Sequence, residues 1–166
     1  MNNSWRTAWH GQDIVVYRDD AEVDRVGAEQ IERVVFVYAG SGESPGDLQY
    51  AIVETHDDCI VFPADTGFAG RVNFERVDYW AGRNCVYWVQ QGRAPLPMRL
   101  RLRRARWWAR LSTAPAYTRV PRAELGPLID QWPLEGPQTW EQRKWRRIEQ
   151  SRPFAGGRDG DHRARA

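Results

Sequence analysis

Asp65-Thr66-Gly67 is the first group whose residue types and spacing could do chemistry. The triplet can hold a carboxylate in a sharp turn, and two such carboxylates sharing one proton perform aspartic-type hydrolysis. One copy supplies one carboxylate, so the reaction would require a homodimer, and Pro63-Ala64 before the triplet and Phe68 after it depart from the aliphatic and small residues that usually flank it. The same tripeptide is an ordinary turn, with Asp bonding local backbone and Gly supplying positive φ. The turn is the preferred reading, and hydrolysis at Asp65 ranks third among the functions considered.

A nucleophilic thiol needs a histidine in contact and a third group to orient it. Cys59 and Cys85, with His56 and His10, are the candidates, but Cys59 runs into Ile60-Val61-Phe62 and Cys85 into Val86-Tyr87-Trp88. Both read as small buried core residues. Their isolation, 26 positions apart, excludes a disulfide framework and a paired-cysteine metal spacing. His56-Asp57-Asp58 alternates faces in an extended chain and reads as a solvated turn, so neither metal nor cofactor is expected. Gly40 to Gly46 could cradle an anion, yet it lacks the terminal Lys and Ser/Thr of a phosphate loop and carries Glu43, so it reads as a hairpin connection.

The strongest signal is cationic. From Arg93 to Arg122 there are nine arginines and no acid, interleaved with Trp107, Trp108 and Tyr117. Guanidinium groups neutralise phosphate and rings stack on bases, while Trp and Arg also dominate protein hot spots. Arg99, Arg101, Arg103, Arg104, Arg106, Trp107, Trp108 and Arg110 therefore form the predicted binding face. Residues 1–92 hold 7 basic and 15 acidic side chains and residues 93–166 hold 17 and 7, about −8 against +10. The acidic half could cancel the arginines by packing on them, and the net charge of +2 falls short of a strongly basic nucleic-acid binder. The sequence favours a protein partner or a homodimer, with nucleic acid or another polyanion as the alternative.

The elements that must position these groups are mostly strands. Ile14–Tyr17, Glu22–Val26, Ile31–Tyr38, Leu48–Glu54 and Cys59–Phe62 are β-branched or aromatic runs punctuated by Asp19-Asp20, Gly27 and His56-Asp57-Asp58. Val72–Glu75, Cys85–Val89 and Met98–Leu102 are further candidate strands, the last by strict alternation with arginine. Phe68–Trp80 fits a strand and a helix equally. Leu125, Leu128, Ile129 and Trp132 predict a helix that starts late or kinks at Gly126-Pro127 and ends at Pro133. Thr139 and Gln142 predict a capping box for a second helix, packed by Trp140, Trp145 and Ile148 and exposing Arg143, Arg146, Arg147 and Glu149.

The run Ile14 to Asp20, the step Ile31-Glu32-Arg33-Val34, the strand Leu48–Glu54 and the run Cys59 to Pro63 resemble the strand rhythm of bacterial pleckstrin-homology-like domains over residues 10–80. The resemblance implies a small barrel whose closing helix is Phe68–Trp80, binding lipids, peptides or proteins, and it assigns no ligand residue.

The expected fold is α+β: an antiparallel, strongly bent sheet or small barrel followed by two short C-terminal helices. One domain spans 1–150, β-rich over 1–104 and helical over 120–150, with a disordered tail over 151–166. The opening residues carry no secretory pattern and no apolar run approaches the roughly 20 residues of a membrane span, so a cytoplasmic, non-catalytic binding module is expected.

Overall fold

A computed structural model describes residues 5–42, 45–63, 71–97, 100 and 118–150. The fold is α+β, as its strand runs and helical stripes predict, with two open sheets in place of a barrel. The first sheet is the antiparallel meander β1 (Trp5–His10), β2 (Asp13–Arg18) and β3 (Ala21–Gly27). Asp19 and Asp20 both adopt positive φ, at 48° and 66°, the geometry of a two-residue hairpin whose twist matches its strands.

The second sheet has the order β7-β4-β5-β6-β8. Strands β4 (Ile31–Tyr38), β5 (Leu48–Thr55) and β6 (Asp58–Pro63) run as an antiparallel meander. Helix α1 (Arg71–Ala81) then carries the chain across to β7 (Val86–Gln90), which lies parallel to β4 in the register Val34–Val86. Parallel neighbours require such a crossover. The helix alternative therefore holds for residues 71–80, and the strand expected at Val72–Glu75 is corrected. Because α1 returns the chain to the sheet, it closes no barrel.

Strand β4 is buried on both faces, and alternation divides its side chains between two cores. Val34, Phe36 and Tyr38 pack with Ile14, Val16 and Val26 of the first sheet, Val77 of α1 and Trp88 of β7. Val35 and Val37 pack with Ile52, Cys59, Val61, Leu125, Ile129 and Trp132 on the opposite face.

Strand β8 (Thr118–Pro121) pairs with β6 and runs directly into α2 (Arg122–Ile129). Helix α2 starts at Arg122, four residues before Gly126, because the Arg122 N–H donates to the Asp57 carbonyl and anchors the first turn. It ends at Ile129, ahead of Pro133, and Trp132 is buried in the turn that follows. Of the strand expected over Met98–Leu102, only Leu100 is described. It is buried, and its N–H donates to the Pro97 carbonyl.

Helix α3 (Trp140–Gln150) carries the predicted capping box. The Gln142 N–H donates to Thr139 Oγ1 at 3.3 Å, and Gln142 Oε1 accepts from the Thr139 N–H at 2.9 Å. Two of the three residues predicted to pack it face outward, and the side chain of the third, Trp140, lies outside those described. Trp145 is 56% exposed and Ile148 36%, while the Arg143 side chain is 4% exposed. Arg147 is half-buried, and Arg146 and Glu149 face outward as expected. Among the described residues, no helix is long and apolar enough to cross a membrane.

Candidate functional site

The predicted arginine and tryptophan face, from Arg99 to Arg110, lies outside the described residues, as does Asp65. The two arginines that close the cationic run are described, and both turn onto carboxylates of the acidic first half. Arg119 donates from Nη2 to Asp24 at 2.9 Å and from Nη1 to Asp58 at 2.7 Å, tying β8 to β3 and β6. Arg122 donates from Nε to Glu54 at 2.8 Å and from Nη1 to Glu32. For these two residues the charge asymmetry between the halves is satisfied within the molecule.

The network extends through Glu54, whose side chain is 1% exposed. An isolated carboxylate at such a depth would be strongly destabilising, and charge-assisted bonds from two guanidinium groups offset that. Arg33 provides the second bond, Nε to Glu54 Oε2 at 2.6 Å, and also donates to Asp130 at 2.8 Å. Burial opposes the charge on Arg33, but its bonds to Glu54 and Asp130 prevail and hold its pKa above the usual value. Burial likewise works to raise Glu32, and the bond and charge of Arg122 outweigh it, leaving Glu32 below the ordinary carboxylate range.

This network borders an open cleft of about 690 Å³, lined among others by Glu29, Glu32, Asp57, Asp58, His56 and Arg119. Five carboxylates in the network (Asp24, Glu32, Glu54, Asp58 and Asp130) meet three guanidinium groups, so the face carries net negative charge. Such a face repels nucleic acid.

Among the described residues, a cysteine nucleophile with a histidine base does not assemble. His56 is 85% exposed with Nδ1 3.5 Å from Glu32, whereas Cys59 and Cys85 are free thiols buried in opposite cores. Burial, reinforced by Glu54, pushes the Cys59 thiol up to about 12, and burial with Asp78 pushes Cys85 up to about 11. Both are poor nucleophiles at neutral pH. Among the described residues, no three His, Cys, Asp or Glu side chains stand together as metal ligands.

The loop Gly40 to Gly46 is described at residues 40–42 and 45–46. Gly42 has φ +68°, and a Cβ there would stand 2.7 Å from the Tyr38 ring and 3.0 Å from Arg147 Nη2. The glycine is required by this close approach of loop, ring and α3. Beside it, the Arg143 guanidinium lies 4.5 Å from the Tyr38 ring centroid and 4.3 Å from that of Trp88, and its Nη1 donates to Glu135 at 3.0 Å. The two rings accept a desolvated cation through their π faces.

Seating α3 by Arg143 turns Trp145 and Ile148 outward. Tyr79 and Trp80 of α1, which packs beside α3, are also exposed, at 73% and 38%, with their rings edge to face at 4.9 Å. The sequence pattern points the other way, because the spacing of Trp145 and Ile148 assigns both to the core. The available signal was the basic and aromatic composition of α3 itself, Trp140 to Arg147. In comparisons with known proteins, no family model, no curated protein and no solved structure matches this chain, so its function is argued from this geometry.

Proposed function

We propose that the protein is a non-catalytic binding module that docks a protein partner through the outward side chains of α1 and α3. The observation that carries the reading is the exposure of Tyr79, Trp80, Trp145 and Ile148 on two adjacent helices. Large rings beside cations are the usual makers of interface energy, and each gains when a partner excludes water from it. Arg99, Arg101, Arg103, Arg104, Arg106, Trp107, Trp108 and Arg110 extend the same chemistry as a second, basic docking segment. A cytoplasmic setting agrees with two free thiols kept apart in the cores.

Nucleic-acid binding through the basic segment is the second reading, supported by nine arginines without an acid between Arg93 and Arg122. Against it, Arg119 and Arg122 are engaged by carboxylates.

A photo-crosslinking amino acid placed at position 79 or 145 of the full chain tests the protein-binding reading in intact cells, with position 12, an exposed turn, as the control. Discrete protein adducts are expected from 79 and 145 and none from 12; no adduct from either position overturns the reading. Random single- and double-stranded oligonucleotides supply the other arm. Binding that falls steeply with salt would establish the polyanion function instead.

A further inference from the structure

The docking reading leaves open what covers α3, and the arrangement of its outward side chains singles out one occupant. At about 100° per residue, the arc opposite Arg143 contains Lys144, Ile148, Glu141, Trp145 and Glu149, in that order around the helix. Glu141 lies at its centre between Ile148 and Trp145, with Lys144 on one flank and Glu149 on the other. Lys144 and Glu149 are both exposed, and among the described residues neither makes an ion pair.

Trp145 and Ile148 have the three-residue spacing of the a and d positions of a coiled-coil heptad. Lys144 then falls at g and Glu149 at the following e, five residues on. In a parallel helix pair these positions meet across the seam, whereas an antiparallel pair sets g against g and e against e. We infer that α3 pairs in parallel with α3 of a second copy of this chain, so that Lys144 faces the partner's Glu149 and Glu149 faces the partner's Lys144. The inference rests on the docking reading and deepens it.

Two-fold symmetry makes both ion pairs at once and sets Glu141, at the preceding d in the first turn of α3, against its copy, whereas the antiparallel alternative places Lys against Lys and Glu against Glu on both flanks. Arg143, on the far side of α3, keeps each globular body clear of the seam. The 11 residues of α3 span about 16 Å, short of what a stable interface of roughly 1,200 Å² needs. Tyr79 and Trp80 on the neighbouring helix are exposed as well, and the association is reversible and concentration-dependent.

Sedimentation equilibrium of the full chain across the micromolar range, at low and moderate salt, tests this. A monomer–dimer equilibrium is expected. Trp145→Ala should weaken it about tenfold or more without altering the circular dichroism spectrum. Lys144→Glu and Glu149→Lys should each weaken it several-fold, and the double exchange K144E/E149K should restore it. A wild type that stays monomeric at several hundred micromolar overturns the inference, as does a dimer insensitive to Trp145→Ala or one that the double exchange fails to rescue. Crosslinks from position 145 to another protein, with a monomeric wild type, would sink the second copy as occupant and leave the docking reading standing. Loss of both would sink both.

Discussion

Glu54 shows how a residue of unsuitable type comes to occupy a core position. It ends the run Leu48 to Glu54, where alternation and β-propensity suggest a terminal, solvated acid, yet Arg33 from the neighbouring strand and Arg122 from α2 cover it completely. Removing one member of a buried charge set leaves the others uncompensated, which is more destabilising than deleting the whole set. Glu54→Ala should therefore lower the unfolding free energy by about 3 kcal/mol, read from urea denaturation, and Glu54→Gln by less because its amide oxygen still accepts a bond. The partners of Glu54 lie 21 and 68 positions away in sequence, so no local pattern identifies it as buried.

At the scale of the element, α3 separates what periodicity can decide from what it cannot. Thr139 and Gln142 form their reciprocal cap as predicted, because a cap depends on neighbours three residues apart. The buried face depends on what the rest of the fold presents to it. Here that surface is the rings of Tyr38 and Trp88 with the carboxylate of Glu135, which suits a guanidinium better than an indole. Arg143→Ala should remove the cation–π and Glu135 contacts together and loosen α3 from the sheet. Hydrogen exchange in residues 141–150 should then accelerate while β4 and β5 stay protected. Equal acceleration throughout would show that α3 and the sheet unfold as one unit. Thr139→Ala, which touches the cap alone, should cost about 1 kcal/mol.

For the whole molecule, the governing fact is the opposite charge of the two halves, which the fold converts into ion pairs that join β3, β6 and β8 and fasten α2 to β5. Stability should consequently fall in acid. The folded pKa of Glu32 lies below its ordinary value near 4.5, so its contribution is complete above that pH and is lost as the pH falls through the lowered folded value. Asp78 acts in the opposite direction. Burial raises its pKa, so its charged form opposes folding at neutral pH and protonation relieves that as the pH drops. Urea midpoints measured from pH 7 to pH 2 should show a smaller acid loss in Glu32→Gln than in the wild type. An unchanged acid limb would mean that the Arg122 pair contributes nothing.

The sequence by itself determined the strands between Asp13 and Pro63 and their antiparallel class, the tight turn at Asp19-Asp20, the burial of both cysteines and the cap of α3. Each depends on residues close along the chain or on a strand's own apolar pattern. It did not reveal β1 or β8, short edge strands whose pairing is set by β2 and β6, nor did it choose between strand and helix for residues 71–80. Only the tertiary structure decided which carboxylates the late arginines meet and which side of α3 faces water. Those outcomes rest on contacts between groups up to 97 positions apart, where charge and shape are matched in space and leave no periodic trace in sequence.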